Sequence, residues 1–264
     1  MCTVTLIVRK RGFALGMNRD EKITRIKAHS PSVHQLQDRR ALFPFEPGAG
    51  TWVGVNDAGV GCALINWYAI TARASGSPVS RGRVVTTTLA ARSVSEMEQS
   101  LATLPLVRVN PFRLIGVFPK TREVVEWRWN LKKLAAIRYH WETTTWISSG
   151  FDEAGAQVTR GKTFADARGQ NSFGRLEWLR RLHRSHKPVR GPYSTCMHRD
   201  DAATVSYAEI EVSLRKAVMR YCDGSPCKKK QFAIQQLKII QSAREENQHG
   251  RTSARPEITH GLIR

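Results

Sequence analysis

The sequence contains no long apolar run, and this absence limits where the chain can act. No stretch approaches the ~18 consecutive apolar residues that a membrane-spanning helix requires. The N-terminal apolar run at residues 3–8 is also too short to be the hydrophobic part of a secretory signal peptide. We therefore predict a cytoplasmic protein without a membrane span.

Acidic residues are few relative to basic ones. Against 42 lysines and arginines there are 22 aspartates and glutamates, which gives a formal net charge of +20. A surface of this charge attracts nucleic acid, anionic lipid or acidic small molecules without selecting among them. The charge is therefore compatible with non-specific nucleic-acid binding, but it does not identify a binding partner.

Cysteine is also sparse and irregularly spaced, which argues against a disulfide framework and against a zinc ribbon. The five cysteines are Cys2, Cys62, Cys196, Cys222 and Cys227. Cys196, His198, Cys222 and Cys227 could together bind a metal ion. No two of these residues, however, have the Cys-x-x-Cys spacing of a zinc ribbon. We therefore predict reduced thiols, no metal and no cofactor, with His198 at an exposed strand end.

Four hairpins are predicted from short runs rich in β-branched and other apolar residues that flank turn residues. They comprise residues 3–8 with 13–17, 52–55 with 60–66, 112–118 with 123–129, and 193–197 with 204–212.

The first hairpin has a register that can be read from its turn. If its strands pair across the turn, Val8 lies opposite Phe13, and the same register carries Cys2 to a position opposite Arg19, with Asp20 beside it. Cross-strand partners lie about 5 Å apart. A thiol, a cation and a carboxylate are therefore expected together at one end of this hairpin.

Helices and loops complete the predicted fold. The capping-box spacing of Ser93 and Glu96 opens a helix that ends near residue 104, and apolar residues at helical spacing predict another over 171–186. We interpret the basic, proline-bearing segment 22–50 as a loop with a short helix that forms a lid. Strands interleaved with few helices indicate an α+β fold of antiparallel sheets covered by helices.

The composition changes after Cys227. Three lysines precede a stretch at 231–246 that has helical spacing, and a polar tail follows. We therefore divide the chain into a domain over residues 1–227 and a basic, partly helical C-terminal extension over residues 228–264.

Cys2 has the chemistry of an N-terminal nucleophile. Methionine aminopeptidases remove Met1 when the second residue is as small as cysteine, which leaves a thiol and a free α-amine on one residue. The amine has a pKa of about 8 and the thiol one of about 8.5, so the amine can take the thiol proton near neutral pH. The other interpretation of Cys2 is a small, buried packing residue.

Several short motifs occur along the chain in a characteristic order. They are Met1-Cys2-Thr3, Asn18-Arg19-Asp20-Glu21 with Arg25, Gly50-Thr51-Trp52-Val53-Gly54-Val55-Asn56, Asn66, Ser80-Arg81-Gly82 and Asn110-Pro111-Phe112-Arg113-Leu114-Ile115. Together they resemble the NRDE family of the transport and Golgi organisation type, over most of residues 1–215. The same order of parts is similar to choloylglycine hydrolases and penicillin acyltransferases. The resemblance implies the four-layer αββα sandwich of the N-terminal-nucleophile (Ntn) hydrolases.

The resemblance also implies roles for particular residues. Cys2 would be the nucleophile, Arg19 and Asp20 would hold its thiolate and its α-amine, and Asn66 would donate to the oxyanion of a tetrahedral intermediate. Asn66 could equally satisfy a turn at its strand end. Ser149 stands where related chains carry asparagine, and its hydroxyl could hydrogen-bond an acyl oxygen. The residues implied to bind substrate are Asn18, Glu21, Arg25, Trp52 and Ser149.

Three functions remain open at this point. The first is a Cys-dependent amidase or acyltransferase that acts on the C–N bond of a small acyl amide. The second is a non-catalytic protein that uses the same fold to bind an anionic, partly apolar ligand such as an acyl-CoA, a lipid or haem. The third is a basic protein associated with nucleic acid, whose binding would weaken steeply with salt.

Overall fold

The fold of this chain is built from two antiparallel β-sheets. The structure is a computed structural model, and it describes residues 2–48, 50–229 and 231–240. One sheet has six strands in the order β10-β1-β2-β11-β12-β13, and the other has seven in the order β3-β4-β5-β6-β7-β8-β9.

The strands of the six-stranded sheet come from both ends of the sequence. They are β1 (Cys2–Arg9), β2 (Gly12–Lys22), β10 (Thr144–Ser148), β11 (Ala202–Val212), β12 (Lys216–Asp223) and β13 (Ala233–Lys238). The seven-stranded sheet follows chain order, with β3 (His29–Leu36), β4 (Arg39–Phe45), β5 (Val53–Asn56), β6 (Gly61–Asn66), β7 (Phe112–Phe118), β8 (Glu123–Trp129) and β9 (Leu134–Tyr139). The helices are α1 (Gly82–Thr88), α2 (Val94–Ala102), α3 (Glu153–Arg168) and α4 (Leu176–Arg184).

Hydrophobic packing arranges these elements in four layers. The largest apolar cluster lies between the sheets and joins residues such as Leu15 of β2 to Val55 of β5. Helices α1 and α2 pack on the outer face of the seven-stranded sheet, where Met97 is fully buried. Helices α3 and α4 cover the six-stranded sheet, where Trp178 is fully buried. The predicted α+β fold with αββα layers is confirmed.

The first hairpin has the register that its turn predicts. Val8 pairs with Phe13, and Cys2 pairs with Arg19. Gly12 closes the turn with a φ of 104°, and a Cβ built on it would lie 2.0 Å from the backbone oxygen of Val212. A side chain at position 12 would therefore clash with the neighbouring strand as well as strain the backbone.

Two more predicted hairpins and one helix cap are confirmed. The second hairpin is β5 and β6, which ends at Asn66 as expected, and the third is β7 and β8. Ser93 caps α2 by accepting a hydrogen bond from the backbone N–H of Glu96. These elements depend on contacts between residues close in sequence, which local patterns predict well.

The segment interpreted as a lid is instead a hairpin of the second sheet. Residues 29–45 form strands β3 and β4, and the side chains at 41–44 of β4 are buried. The lid prediction was wrong because the prolines and arginines of this segment obscure the apolar pattern of the short strand β4. Pairing with β5 holds β4 in the sheet.

The fourth predicted hairpin and the second predicted helix are only partly present. Residues 193–197 form turns, and β11 pairs instead with β2 and β12. Helix α4 covers Leu176–Arg184, so it is shorter than the predicted 171–186. Only the end of the segment reaches β11: the backbone N–H of Thr204 donates to the backbone oxygen of Met197, and His198 forms an isolated bridge with Ala203.

The C-terminal segment differs from the predicted helix. Residues Ala233–Lys238 form β13, which pairs with β12 at the edge of the six-stranded sheet. Apolar residues at 234 and 237 have helical spacing, which explains the wrong prediction, but pairing with an open edge strand determines the structure. The rest of the predicted helix, from residue 241 on, and the polar tail lie outside the described residues.

Among the residues that the structure describes, no helix combines the length and the apolar character needed to cross a bilayer.

The edge strand β13 provides the first test. Leu237 is 2% exposed and packs into the cluster between the sheets, whereas Ile234 of the same strand is 56% exposed. Leu237→Ala should lower the free energy of unfolding by about 2–5 kcal/mol in urea denaturation, because it leaves a cavity in the core. The control, Ile234→Ala, should cost less than about 1 kcal/mol. Equal losses would mean that β13 is not held by this contact.

Candidate functional site

Cys2 lies at the start of β1, between two neighbouring strands. It pairs with Arg19 of β2 on one side and with Ser148 of β10 on the other. The residue is 7% exposed and opens into a cavity of about 480 Å³, which we call the Cys2 cavity. Its lining residues include Cys2, Arg19, Asp20, Glu21, Arg25, Glu46, Trp52, Asn66, Arg81 and Asn110.

The surroundings of Cys2 act on the pKa of its thiol in opposite directions. Burial raises the pKa of the thiol above its ordinary value, and the negative charge of Asp20 raises it further. The positive charge of Arg19 and a hydrogen bond from the backbone N–H of Asp20 act in the opposite direction, because both favour the thiolate. Any further cation at this point would therefore promote ionisation.

Arg19 is held firmly on the same side of the sheet as Cys2. Its guanidinium lies 4.2 Å from the ring centre of Trp52 and 2.9 Å from Oε2 of Glu46. The other carboxylate oxygen of Glu46 accepts a hydrogen bond from Arg25 at 2.7 Å. Glu46 follows the end of β4, in the segment interpreted as a lid, so the sequence analysis missed its role.

Asp20 is fixed by a buried ion pair. Arg160 of α3 donates to Oδ2 of Asp20 at 3.0 Å, and both side chains are fully buried. The hydroxyl of Thr204 donates to Oδ1 at 2.6 Å. Arg160 also donates to the hydroxyl of Thr3 and to the backbone oxygen of Pro192. The helix α3 thus contributes the cation that balances Asp20.

Asn66 approaches the cavity from the other sheet. It is the last residue of β6, and its Nδ2 donates to the hydroxyl of Tyr68 at 2.8 Å. The cavity therefore lies between the ends of β1 and β2 in one sheet and the end of β6 in the other. Glu21, Arg25 and Trp52 line it as well, so the structure brings these predicted residues together with Cys2, Arg19 and Asp20.

Two predicted substrate-binding residues do not line the cavity. Asn18 is fully buried, and its amide donates to the backbone oxygens of His183 and Thr195. Ser149 is 1% exposed, and its hydroxyl accepts hydrogen bonds from the backbone of Phe151 and Asp152 at the start of α3. Both side chains therefore fix the positions of segments around the site.

Arg81 and Asn110 are cavity residues whose roles the sequence analysis did not assign. Arg81 immediately precedes α1, and burial lowers the pKa of its guanidinium. Within the described part of the chain, Arg81 has no carboxylate at ion-pair distance, and it donates to the backbone oxygen of Pro111 at 3.4 Å. Both residues fall in motifs that support the family resemblance, which was the available signal.

The cavity contains the groups that acyl transfer needs. A buried thiol, three arginines, three carboxylates and two asparagine amides line one space. A group of His and Cys side chains able to hold an ion lies at a different place, around His186 and Cys196.

Solved structures of other proteins share this fold. The conjugated bile acid hydrolase of Clostridium perfringens, in a cysteine-to-alanine variant, aligns with a TM-score of 0.53 and 12% identity over 92% of this chain and 97% of that one. An arginine-to-leucine variant of that enzyme gives a TM-score of 0.50 and 12% identity over 91% and 97%. Penicillin V acylase from Agrobacterium tumefaciens gives 0.48 and 10% over 90% and 91%.

The two bile acid hydrolase structures place the chain in the Ntn-hydrolase fold class, as the resemblance implied. The sequence profile of the family described as Transport and Golgi organisation 2 matches residues 1–180. The chain therefore belongs to that family. No curated protein matches the sequence.

The ion pair behind Asp20 provides the second test. Arg160→Met should lower the free energy of unfolding by about 3–5 kcal/mol in urea denaturation, because it removes the buried guanidinium that pairs with the Asp20 carboxylate. The matched control is Arg138→Met, which removes an ion pair with Glu123 whose side chains are 62% and 37% exposed. That control should cost at most about 1 kcal/mol. Similar losses in the two variants would contradict a special role for the buried pair.

Proposed function

We propose that this protein is a Cys-dependent Ntn hydrolase or acyltransferase that acts on the C–N bond of an amide. The observation that carries the proposal is the placement of Cys2, which opens into the Cys2 cavity beside Arg19 and the backbone N–H of Asp20. A nucleophile needs such a position, where its anion is stabilised and a substrate carbonyl can reach it.

Removal of Met1 would supply the base. The α-amine of Cys2, freed in this step, would take the proton from the thiol of the same residue, directly or through a water molecule. The resulting ammonium adds a cation beside the thiolate, which opposes the effect of burial on the thiol pKa. The carboxylate of Asp20, fixed by Arg160 and Thr204, is the proposed partner of this ammonium.

Attack of the Cys2 thiolate on the amide carbonyl forms a C–S bond and places negative charge on the carbonyl oxygen. An amide side chain has two N–H donors, and Asn66 uses one of them on Tyr68. The second N–H is available in our proposal to stabilise the oxyanion. A donor of this kind contributes about 3 kcal/mol to transition-state stabilisation.

Collapse of this intermediate breaks the C–N bond. The leaving amine takes the proton held by the Cys2 ammonium, and the acyl group stays on sulfur as a thioester. Water or a second amine then attacks the thioester, gives its proton to the α-amine and restores the thiol. Water makes the protein a hydrolase, and an amine makes it an acyltransferase.

The charges in the cavity favour a substrate with an anionic group. Glu46 neutralises much of the charge of Arg19 and Arg25, whereas Arg81 has no carboxylate partner among the described residues. Arg81 can therefore bind a carboxylate on the substrate through charge-assisted hydrogen bonds. The same feature supports the second candidate, a protein that holds an anionic apolar ligand in this cavity without turnover.

The first experiment combines intact-mass measurement with thiol labelling. We expect purified protein to lack Met1 and to react with iodoacetamide at pH 7 faster at Cys2 than at Cys222. We also expect amine release from N-acyl amides to fall at least about 10³-fold in Cys2→Ala, because the nucleophile is lost. Alanine at position 2 still permits Met1 removal, and Cys222→Ser serves as the unaffected control.

Retained Met1 with an unreactive Cys2 would refute the enzyme proposal, and a reactive Cys2 without turnover would favour the binding protein.

Arg81→Met tests the anionic part of the substrate. The KM for N-acyl amino acids should rise about 10- to 100-fold, which corresponds to the ~1.5–3 kcal/mol of a charge-assisted hydrogen bond. The matching amides without a carboxylate should be hydrolysed as before. Arg83→Met removes an exposed arginine two residues away, and it should change neither the KM for N-acyl amino acids nor the hydrolysis of the uncharged amides. An equal effect of Arg81→Met on charged and uncharged amides would contradict carboxylate binding at this residue.

A further inference from the structure

Four side chains with metal-binding atoms meet at a place that the proposed reaction does not use. They are His186, which follows α4, Cys196 and His198, which precede β11, and Cys227, which follows β12. One ligand atom from each residue lies within 4.8 Å of all the others. The sequence analysis considered Cys222 in this group, but the structure has His186 instead.

Three distances within this cluster fit the edges of a tetrahedron around one ion. Zinc lies at about 2.3 Å from sulfur and about 2.0 Å from nitrogen, which places ligand atoms of a tetrahedral site about 3.3–3.8 Å apart. Nε2 of His198 is 3.3 Å from Nε2 of His186, 3.6 Å from Sγ of Cys196 and 3.3 Å from Sγ of Cys227. The other three pairs of ligand atoms are within 4.8 Å of each other, so side-chain shifts of at most roughly 1.5 Å would complete a tetrahedral site.

We propose that His186, Cys196, His198 and Cys227 bind one zinc ion as a closed, structural Cys₂His₂ site. Two sulfur and two nitrogen ligands in a tetrahedron are the set that zinc prefers. Because all four positions are filled by protein, no position remains for water or substrate. The site is separate from Cys2, and the proposal does not depend on the proposed enzyme activity.

The charges of the site are consistent with this ion. Zinc binding releases one proton from each thiol to solvent, so two thiolates balance the two charges of the metal. The complex would then carry no net charge, and the nearby basic residues Arg190 and Lys228 would not face an additional positive charge. If Nε2 of His198 binds the metal, its Nδ1 carries the proton and becomes a hydrogen-bond donor. The exposed Arg190 lies 3.5 Å from Nδ1 and is also a donor, so its side chain must turn away.

The zinc site would tie together three segments that form no ladder with one another. The loop that carries two of the ligands is connected to the Cys2 cavity through Met197. The backbone N–H of Met197 donates to the hydroxyl of Thr204 at 2.8 Å, and that hydroxyl donates to Asp20. Metal binding would therefore support the residue that fixes Asp20.

The test measures metal in the full-length protein, purified under reducing conditions without chelator. Elemental analysis should find about one zinc per chain. After zinc removal, Co²⁺ titration should give the sulfur-to-cobalt charge-transfer band and the strong visible bands of a tetrahedral site, saturating at one equivalent. Added Zn²⁺ should abolish these bands.

Variants assign the ligands. Cys227→Ser and His186→Ala should each reduce the zinc content at least tenfold, and His186→Ala keeps both thiols in case the cysteine variant does not fold. Cys222→Ser is the matched control, because Cys222 is a buried cysteine five residues from Cys227 whose thiol contacts the backbone oxygen of Gly224. It should keep the full zinc content. The melting temperature of the wild type should fall by roughly 10 °C when zinc is removed.

Three results would overturn the proposal. Folded, reduced protein with less than a tenth of an equivalent of zinc and no cobalt charge-transfer band would show that the cluster binds no metal. A Cys196–Cys227 disulfide that persists in protein purified under reducing conditions would assign the two cysteines a different role. Equal zinc loss in Cys222→Ser and Cys227→Ser would mean that the metal is bound elsewhere.

Discussion

The antiparallel pairing of β1 with β2 is the interaction on which the rest of the site depends. Its register sets Cys2 opposite Arg19, and the turn at Gly12 fixes that register. A slip of one residue would turn every side chain of β1 to the opposite face of the sheet. Cys2 would then face the helices α3 and α4, and Arg19 would no longer lie beside it.

The buried polar groups around this pairing explain why some motif residues are far from the cavity. Asn18 neighbours Arg19 in sequence, but it points to the helix side of the sheet, where it holds the backbone at His183 and Thr195. A buried amide of this kind must be hydrogen-bonded, and here it joins α4 and the loop before β11 to β2. A motif therefore combines residues of the cavity with residues that position its walls.

The parts predictable from sequence were those determined by neighbours along the chain. The β1–β2 register, the turn between β5 and β6, and the Ser93 cap all follow from local patterns, and the family motifs gave the fold class. Helix α3 was not predicted, because the side chains that it buries are small or polar: Ala156, Arg160, Thr163 and Ala167. The strand β13 and the role of Glu46 depend on contacts with distant segments, which no local pattern contains.

The sheet order also affects the time course of synthesis. Cys2 is flanked by β2, which follows at once, and by β10, whose partner residue Ser148 is made much later. At ~5–20 residues per second, a ribosome needs roughly 7–30 s to synthesise the intervening chain. During this interval one side of β1 lacks its neighbour, so the end of β1 that carries Cys2 stays uncovered on that side until β10 has been made.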